Sequence, residues 1–90
     1  MNEREIAADI REKTRRLSVA ASGSVISALW NRETGAITYT DELELTEKLI
    51  HRGYTVVCTY ADGLEMIVLG RCSAGVVHMS MKLYEKIRSM

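Results

Sequence analysis

"IHRGYTVVCTYADGLEMIVLGRC", residues 50–72, is the stretch whose reading decides the fold. Asp62-Gly63 has the composition of a two-residue type I′ turn, and β-prone residues flank it on both sides, so the stretch reads as a β-hairpin. With that turn, Tyr60 is expected to pair with Glu65, Cys58 with Ile67 and Val56 with Leu69. Tyr54, Val56, Cys58, Ile67 and Leu69 then share one face, the expected core face. Thr55, Val57, Thr59, Met66 and Val68 fall on the other, which lacks the charged row of a sheet face left in water. A helix of the same chain or another copy must cover it.

Working back from the hairpin, "TDELELTEKLIHRG" (40–53) carries agreeing start and stop signals for a helix. Asp41 can serve as N-cap with Glu44 three residues on, a capping box, and Gly53 suits the left-handed residue that ends a helix. Leu45, Leu49 and Ile50 line one face, while Asp41, Glu42, Glu44 and Glu47 make the first turns acidic, where the helix dipole favours them. "NRETGAITYT" (31–40) supplies a turn at Thr34-Gly35 and a short β-prone run from Ala36 to Tyr39. From Asn2 to about Leu17, Ile6, Ala7, Ile10 and Leu17 fall close to helical spacing, but Lys13 and Thr14 thin the apolar stripe. In "SVAASGSVISALW" (18–30), small residues recur four apart at Ala20, Ser24 and Ala28 and at Gly23 and Ser27, so one long helix running on to Trp30 is the expectation. The competing reading breaks it at Ser22-Gly23-Ser24, with Ser24 capping a second short helix.

Beyond the hairpin, "CSAGVVHMSMKLYEKIRSM" (72–90) reads as a terminal helix starting between Ala74 and Ser80, with a third strand at Val76-Val77 as the alternative. Residues 71–90 hold Arg71, Lys82, Lys86 and Arg88 against Glu85, a surplus of three positives, and this end could dock on the acidic 41–47 helix of a neighbour. The fold expected from these pieces is α+β: a long N-terminal helix and one or two shorter helices on a small antiparallel sheet, in a single domain spanning residues 1–90.

Ninety residues bury too small a fraction of their surface to be more than marginally stable alone, so shared burial in a homo-oligomer is expected. Twelve Lys and Arg balance twelve Asp and Glu, which removes the broad attraction that drives non-specific binding to nucleic acid or anionic membranes. No apolar run has the roughly 20 residues that span a bilayer, and the first sixteen residues carry nine charges where a signal peptide needs an apolar core. The expectation is a cytoplasmic protein with Cys58 and Cys72 as reduced thiols.

Four constellations bear on chemistry. His51, Cys58, Cys72 and His78 lack the spacing of a zinc site, so no metal or cofactor is expected. No serine sits in a G-x-S-x-G elbow and neither histidine has a carboxylate partner in sequence, which argues against nucleophilic catalysis. No phosphate-binding glycine motif occurs, although Ser73, Ala74 and Gly75 beside Arg71 make the one candidate ligand site, for a small anion. "IREKTRR" (10–16) offers Arg11, Lys13, Arg15 and Arg16, but residues 1–16 net only +1, five positives against four negatives, and read as a solvated helix face in preference to a nucleic-acid site.

The order helix, short strand, helix, hairpin, carried by "TGAITYTDELELTEKLIHRGYTVVCTY" and ended by "EMIVLG", resembles a pattern of small accessory proteins encoded by tailed phages. In that pattern a long N-terminal helix precedes a Leu-x-x-x-Gly-Tyr-x-Val junction, matched here by Leu49, Gly53, Tyr54 and Val56. The resemblance covers about residues 2–70, and residues 71–90 depart from it. It implies a phage-encoded accessory protein without an assigned enzymatic activity, acting in the bacterial host cytoplasm, in the virion or in countering host defence.

The functional expectation is a non-enzymatic, homo-oligomeric binding protein whose interface draws on Val57, Met66 and Val68 of the hairpin and Ile6 and Ile10 of the first helix. One alternative is a protein that sequesters a small anion or nucleotide between subunits near Arg71, Ser73, Ala74 and Gly75; another is a nucleic-acid-binding regulator using residues 11–16.

Overall fold

Asn2 starts the first helix, α1 (Glu3–Ala20), because its side-chain oxygen accepts the Glu5 N–H at 2.9 Å and satisfies one of the orphan donors of the first turn. The computed structural model describes residues 2–72 and 75–90, the side chains of 71, 72, 75 and 76 excepted. After α1 come β1 (Val25–Trp30), β2 (Ile37–Thr40), α2 (Leu43–His51), β3 (Thr55–Ala61), β4 (Leu64–Cys72), β5 (Gly75–Ser80) and α3 (Met81–Arg88). The five strands form an antiparallel sheet in the order β2-β1-β3-β4-β5. The α+β class with a long N-terminal helix is as expected from the sequence.

The long helix does not run on to Trp30. It ends at Ala20, a tight turn closes with the Ser24 N–H on the Ala21 carbonyl at 3.0 Å, and β1 follows where a helix was expected. The small residues that recur every four positions also fit a period of two. Ile26, Ala28 and Trp30 alternate onto one face, and all three are buried. Ala28, fully buried, is small enough for α1 to lie close, and Ile10, Ala28, Trp30 and Cys58 form the core between α1 and the sheet, with Ile6, Tyr39, Val57 and Tyr60 packed around them.

α2 starts one residue later than its capping signals indicate. Glu42, not Asp41, is the N-cap and makes no side-chain cap bond; the Thr40 hydroxyl accepts the Glu42 N–H instead, at 3.0 Å. The end of the helix is as the sequence signals. The Tyr54 N–H bonds the Leu49 carbonyl, the Gly53 N–H bonds that of Ile50, and Gly53 takes φ +92°, a Schellman motif that turns the chain into β3.

The hairpin turn has the expected conformation, with Asp62 at φ 49° and Gly63 at φ 79°, and Tyr60 pairs with Glu65 and Ala61 with Leu64. The pairing stops there. Cys58 does not pair with Ile67, nor Val56 with Leu69; instead Met66 onward pairs with β5, whose strand was the alternative reading of Val76-Val77. Each diverging arm carries a bulge, at Val57 in β3 and at Leu69 in β4, and bulges bend a strand and raise its twist. The Val57 bulge also reassigns faces. Cys58 sits opposite Ala28 but Val56 opposite Leu29, so Val56 lies on the far face and Val57 joins Cys58 in the α1 core.

Two turns are tied together at one end of the sheet. The Ser18 hydroxyl, fully buried, accepts the Gly63 N–H at 2.8 Å and donates to the Arg15 carbonyl at 2.7 Å, while the Asp62 carboxylate accepts from the Ser22 hydroxyl at 3.3 Å and the Gly23 N–H at 3.4 Å. Ser18→Ala is expected to lower the unfolding free energy by about 1–3 kcal/mol, because it strands a partly buried N–H. Gly53→Val is expected to cost more than about 1 kcal/mol through its positive φ alone, since a Cβ at that position meets nothing within 4 Å. Denaturant melts measure both; an unchanged midpoint in either variant would contradict the role given to that residue.

Candidate functional site

Where β3 and β4 part, the sheet opens into a cleft of about 910 Å³. α2 forms one wall, with Leu43 and Ile50; β3 contributes Val56; and β4 contributes Met66, Ile67 and Val68. Leu43, Ile50, Val56 and Val68 are all exposed, so the cleft presents apolar surface to solvent. Its rim is acidic: Asp41, Glu42, Glu47 and Glu65 contribute carboxylates, with Arg11 as the only Lys or Arg among the described residues of the lining. Arg11 is itself directed to Glu65, at 3.9 Å. Such a surface disfavours an anion and favours an apolar occupant that carries positive charge.

α2 covers only part of this face of the sheet. It packs on β1, β2 and β3, over the fully buried Leu29 and beside a hydroxyl pair, Ser27 with Thr59, at 3.0 Å. α3 packs against β4 and β5, with its first residue, Met81, at the cleft, and none of its residues is buried. The Met66 and Val68 expected at an interface do line the cleft, and Val68 is 53% exposed. Val57 also borders it but is half-buried against the α1 core. Ile10 is only 2% exposed and Ile6 packs against the same core, so α1 spends its apolar stripe inside its own chain and Ile10 offers nothing to a partner. Of the anion site, Ser73 and Ala74 lie outside the described residues, as do the side chains at 71 and 75, while the backbone at 71 and 75 belongs to β4 and β5. Sequence reasoning missed Leu43 as a site residue and placed Ile50 with Leu45 and Leu49 on a single helix face; the breadth of apolar positions around α2, from Leu43 and Leu45 to Leu49 and Ile50, is the one signal that it serves two neighbours.

The cations of residues 11–16 are engaged within the chain. Arg15 and Arg16 both reach Glu12, at 2.7 and 3.1 Å, and Lys13 stands 5.5 Å from the centre of the Tyr39 ring. The Arg15 hydrogen bond, with help from Arg16, holds the Glu12 carboxyl at a pKa of about 2. Of the residues weighed for metal binding, His51, Cys58 and His78 lie on α2, β3 and β5, and among the described residues no group of three metal-binding side chains comes together. No helix among the described residues is long and apolar enough to cross a membrane.

Cys58 is the opposite of an activated nucleophile. Its thiol is buried and donates to the Thr14 hydroxyl at 3.4 Å, and that hydroxyl donates in turn to the Ile10 carbonyl at 2.6 Å. Burial pushes the thiol up from its ordinary value, more than the Thr14 bond lowers it. The folded state therefore keeps the proton at a pH where the unfolded chain has lost it, so the unfolded state binds fewer protons and stability falls as pH rises. In a Cys72→Ser background, denaturant midpoints are expected to fall as pH passes 9.0, the ordinary thiol value, and less steeply once Cys58→Ala is added. Equal slopes for the two proteins would show that Cys58 does not carry the effect. Against this geometry, no family model matches the chain, and neither curated proteins nor solved structures provide a match.

Proposed function

We propose that this chain is a homo-oligomeric binding protein and not an enzyme, and that the cleft between β3, β4 and α2 is its contact surface. The observation that carries this reading is the apolar lining itself: Leu43, Ile50, Val56 and Val68 all stand exposed in one cleft, while α1 packs on β1 and β3 over the core of Ile10, Ala28, Trp30 and Cys58. Burying the remaining exposed parts of four such side chains contributes about 4 kcal/mol per subunit before the cost of association. That is a large fraction of the stability of a domain this small. The state of the Cys58 thiol, buried, protonated and committed to Thr14, supports interaction over nucleophilic chemistry. The acidic rim weighs against the alternative of an anion held in this cleft, and the engagement of Arg11, Lys13, Arg15 and Arg16 within the chain weighs against a nucleic-acid regulator.

The resemblance to small tailed-phage accessory proteins gives this reading its setting, a phage-encoded protein working in the host cytoplasm. Its support is the junction of Leu49, Gly53, Tyr54 and Val56, whose first three residues take part in the Schellman turn between α2 and β3 and whose last lies in β3.

Val68→Lys tests the contact surface, because the side chain is more than half exposed and a lysine there leaves the α1 core untouched. The wild type is expected to scatter light as an oligomer at micromolar concentration, and the variant to keep its fold by circular dichroism while dissociating. A monomeric wild type, or a variant that stays assembled, overturns the proposal.

A further inference from the structure

The cleft needs an occupant that is apolar along one side and basic along the next, and this chain contains one. α3 carries Leu83 and Ile87 four residues apart, hence on one face, and they are 47% and 50% exposed. Lys82 and Lys86, also four apart, form the adjoining stripe, and with Arg88 they give the helix three cations against Glu85. In its own chain α3 packs on β4 and β5 without burying a residue, and about half of the Leu83 and Ile87 surface stays open to solvent. Met81, the first residue of α3, lines the cleft, so the helix departs from the cleft's own edge.

We infer that the occupant of the cleft is α3 of a second copy of this chain, given reciprocally in a two-fold dimer. Leu83 and Ile87 lie on the apolar strip of Leu43, Ile50, Val56 and Val68, beside α2, and complete the helical layer that α2 begins. Lys82 and Lys86 face the rim formed by Asp41 and Glu42. A two-fold arrangement satisfies both clefts at once and leaves no open end from which a filament could grow. This inference rests on the homo-oligomeric reading above, and adds to it which element fills the cleft and in what stoichiometry.

Charge reversal with mixing tests it. Lys82→Glu/Lys86→Glu sets an acidic helix against an acidic rim, and Asp41→Lys/Glu42→Lys sets a basic helix against a basic rim. Each variant alone is expected to dissociate at least about tenfold more readily than wild type in sedimentation velocity. Mixed in equal amounts they are expected to form a one-to-one heterodimer, because the acidic helix of the first meets the basic rim of the second while the native helix of the second meets the native rim of the first. Recovery on mixing also shows that neither variant dissociated by unfolding. If the wild type is a dimer and both variants remain homodimers, or dissociate and fail to recover on mixing while folded by circular dichroism, then α3 is not the occupant although the oligomeric reading stands. If the wild type is monomeric at micromolar concentration, or binds only a basic peptide supplied in trans, both readings fall.

Discussion

The hydrogen bond from the Gly63 N–H to the Ser18 hydroxyl fixes the long helix to the tip of the hairpin, and most of the architecture depends on it. At 2.8 Å, between a fully buried serine and a turn residue forty-five positions away, it holds the C-terminal end of α1 against the hairpin tip. Asp62 adds a second clamp by accepting from Ser22 and Gly23, so the turn that leaves α1 and the turn between β3 and β4 are held together. β1 begins within that clamp, with Val25 opposite Ala61, which fixes the register of β1 on β3 and puts Ala28 beside Cys58 under Ile10. The approach is close: a Cβ on Gly63 would stand 2.9 Å from Val19. Position 63 is thus held to glycine twice, by its positive φ and by the helix above it.

One extra residue in β3 has consequences on both faces. Without the bulge, Val57 would point away from α1; with it, Val57 and Cys58 both serve the α1 core and Val56 passes to the other side, next to Leu29. The bulge thus exchanges the two valines: the half-buried Val57 goes to the core and the exposed Val56 to the far face. The same strand then parts from β4, so the region that lost alternation is also the region that opens into the cleft.

What could be read from the sequence follows the range of the interactions that produce it. The Asp62-Gly63 turn and the Gly53 terminus of α2 were legible because each is decided within a few residues. β1 was misread as helix because residues 20–30 satisfy a period of four as well as a period of two, and the choice between them is made by burial against α1, which no local window contains. The placement of Cys58 in the core was legible from its neighbours; the reassignment of Val56 and Val57 was not, since a bulge is a feature of two strands and not of one. Of the candidate site, Met66 and Val68 were legible as an unexplained second face, whereas Leu43 and Ile50 join them only because β3 and β4 separate.

The open half of the second face follows from helix dimensions. α2, nine residues long, runs about 14 Å, and its contacts fall on β1, β2 and β3. The sheet has five strands. α1, with eighteen residues, can lie along the other face and still lend Arg11 to Glu65 on β4, but nothing of comparable length remains for this one. The last helix has eight residues and is drawn to the β4–β5 end by a connection of no length, since Ser80 ends β5 and caps α3 through its hydroxyl to the Leu83 N–H. Tethered there, it keeps to β4 and β5 in its own chain, with Leu83 and Ile87 half exposed. A second copy is under no such restraint, so the strand-to-helix junction that denies the cleft its own helix is also what leaves that helix free to serve another's.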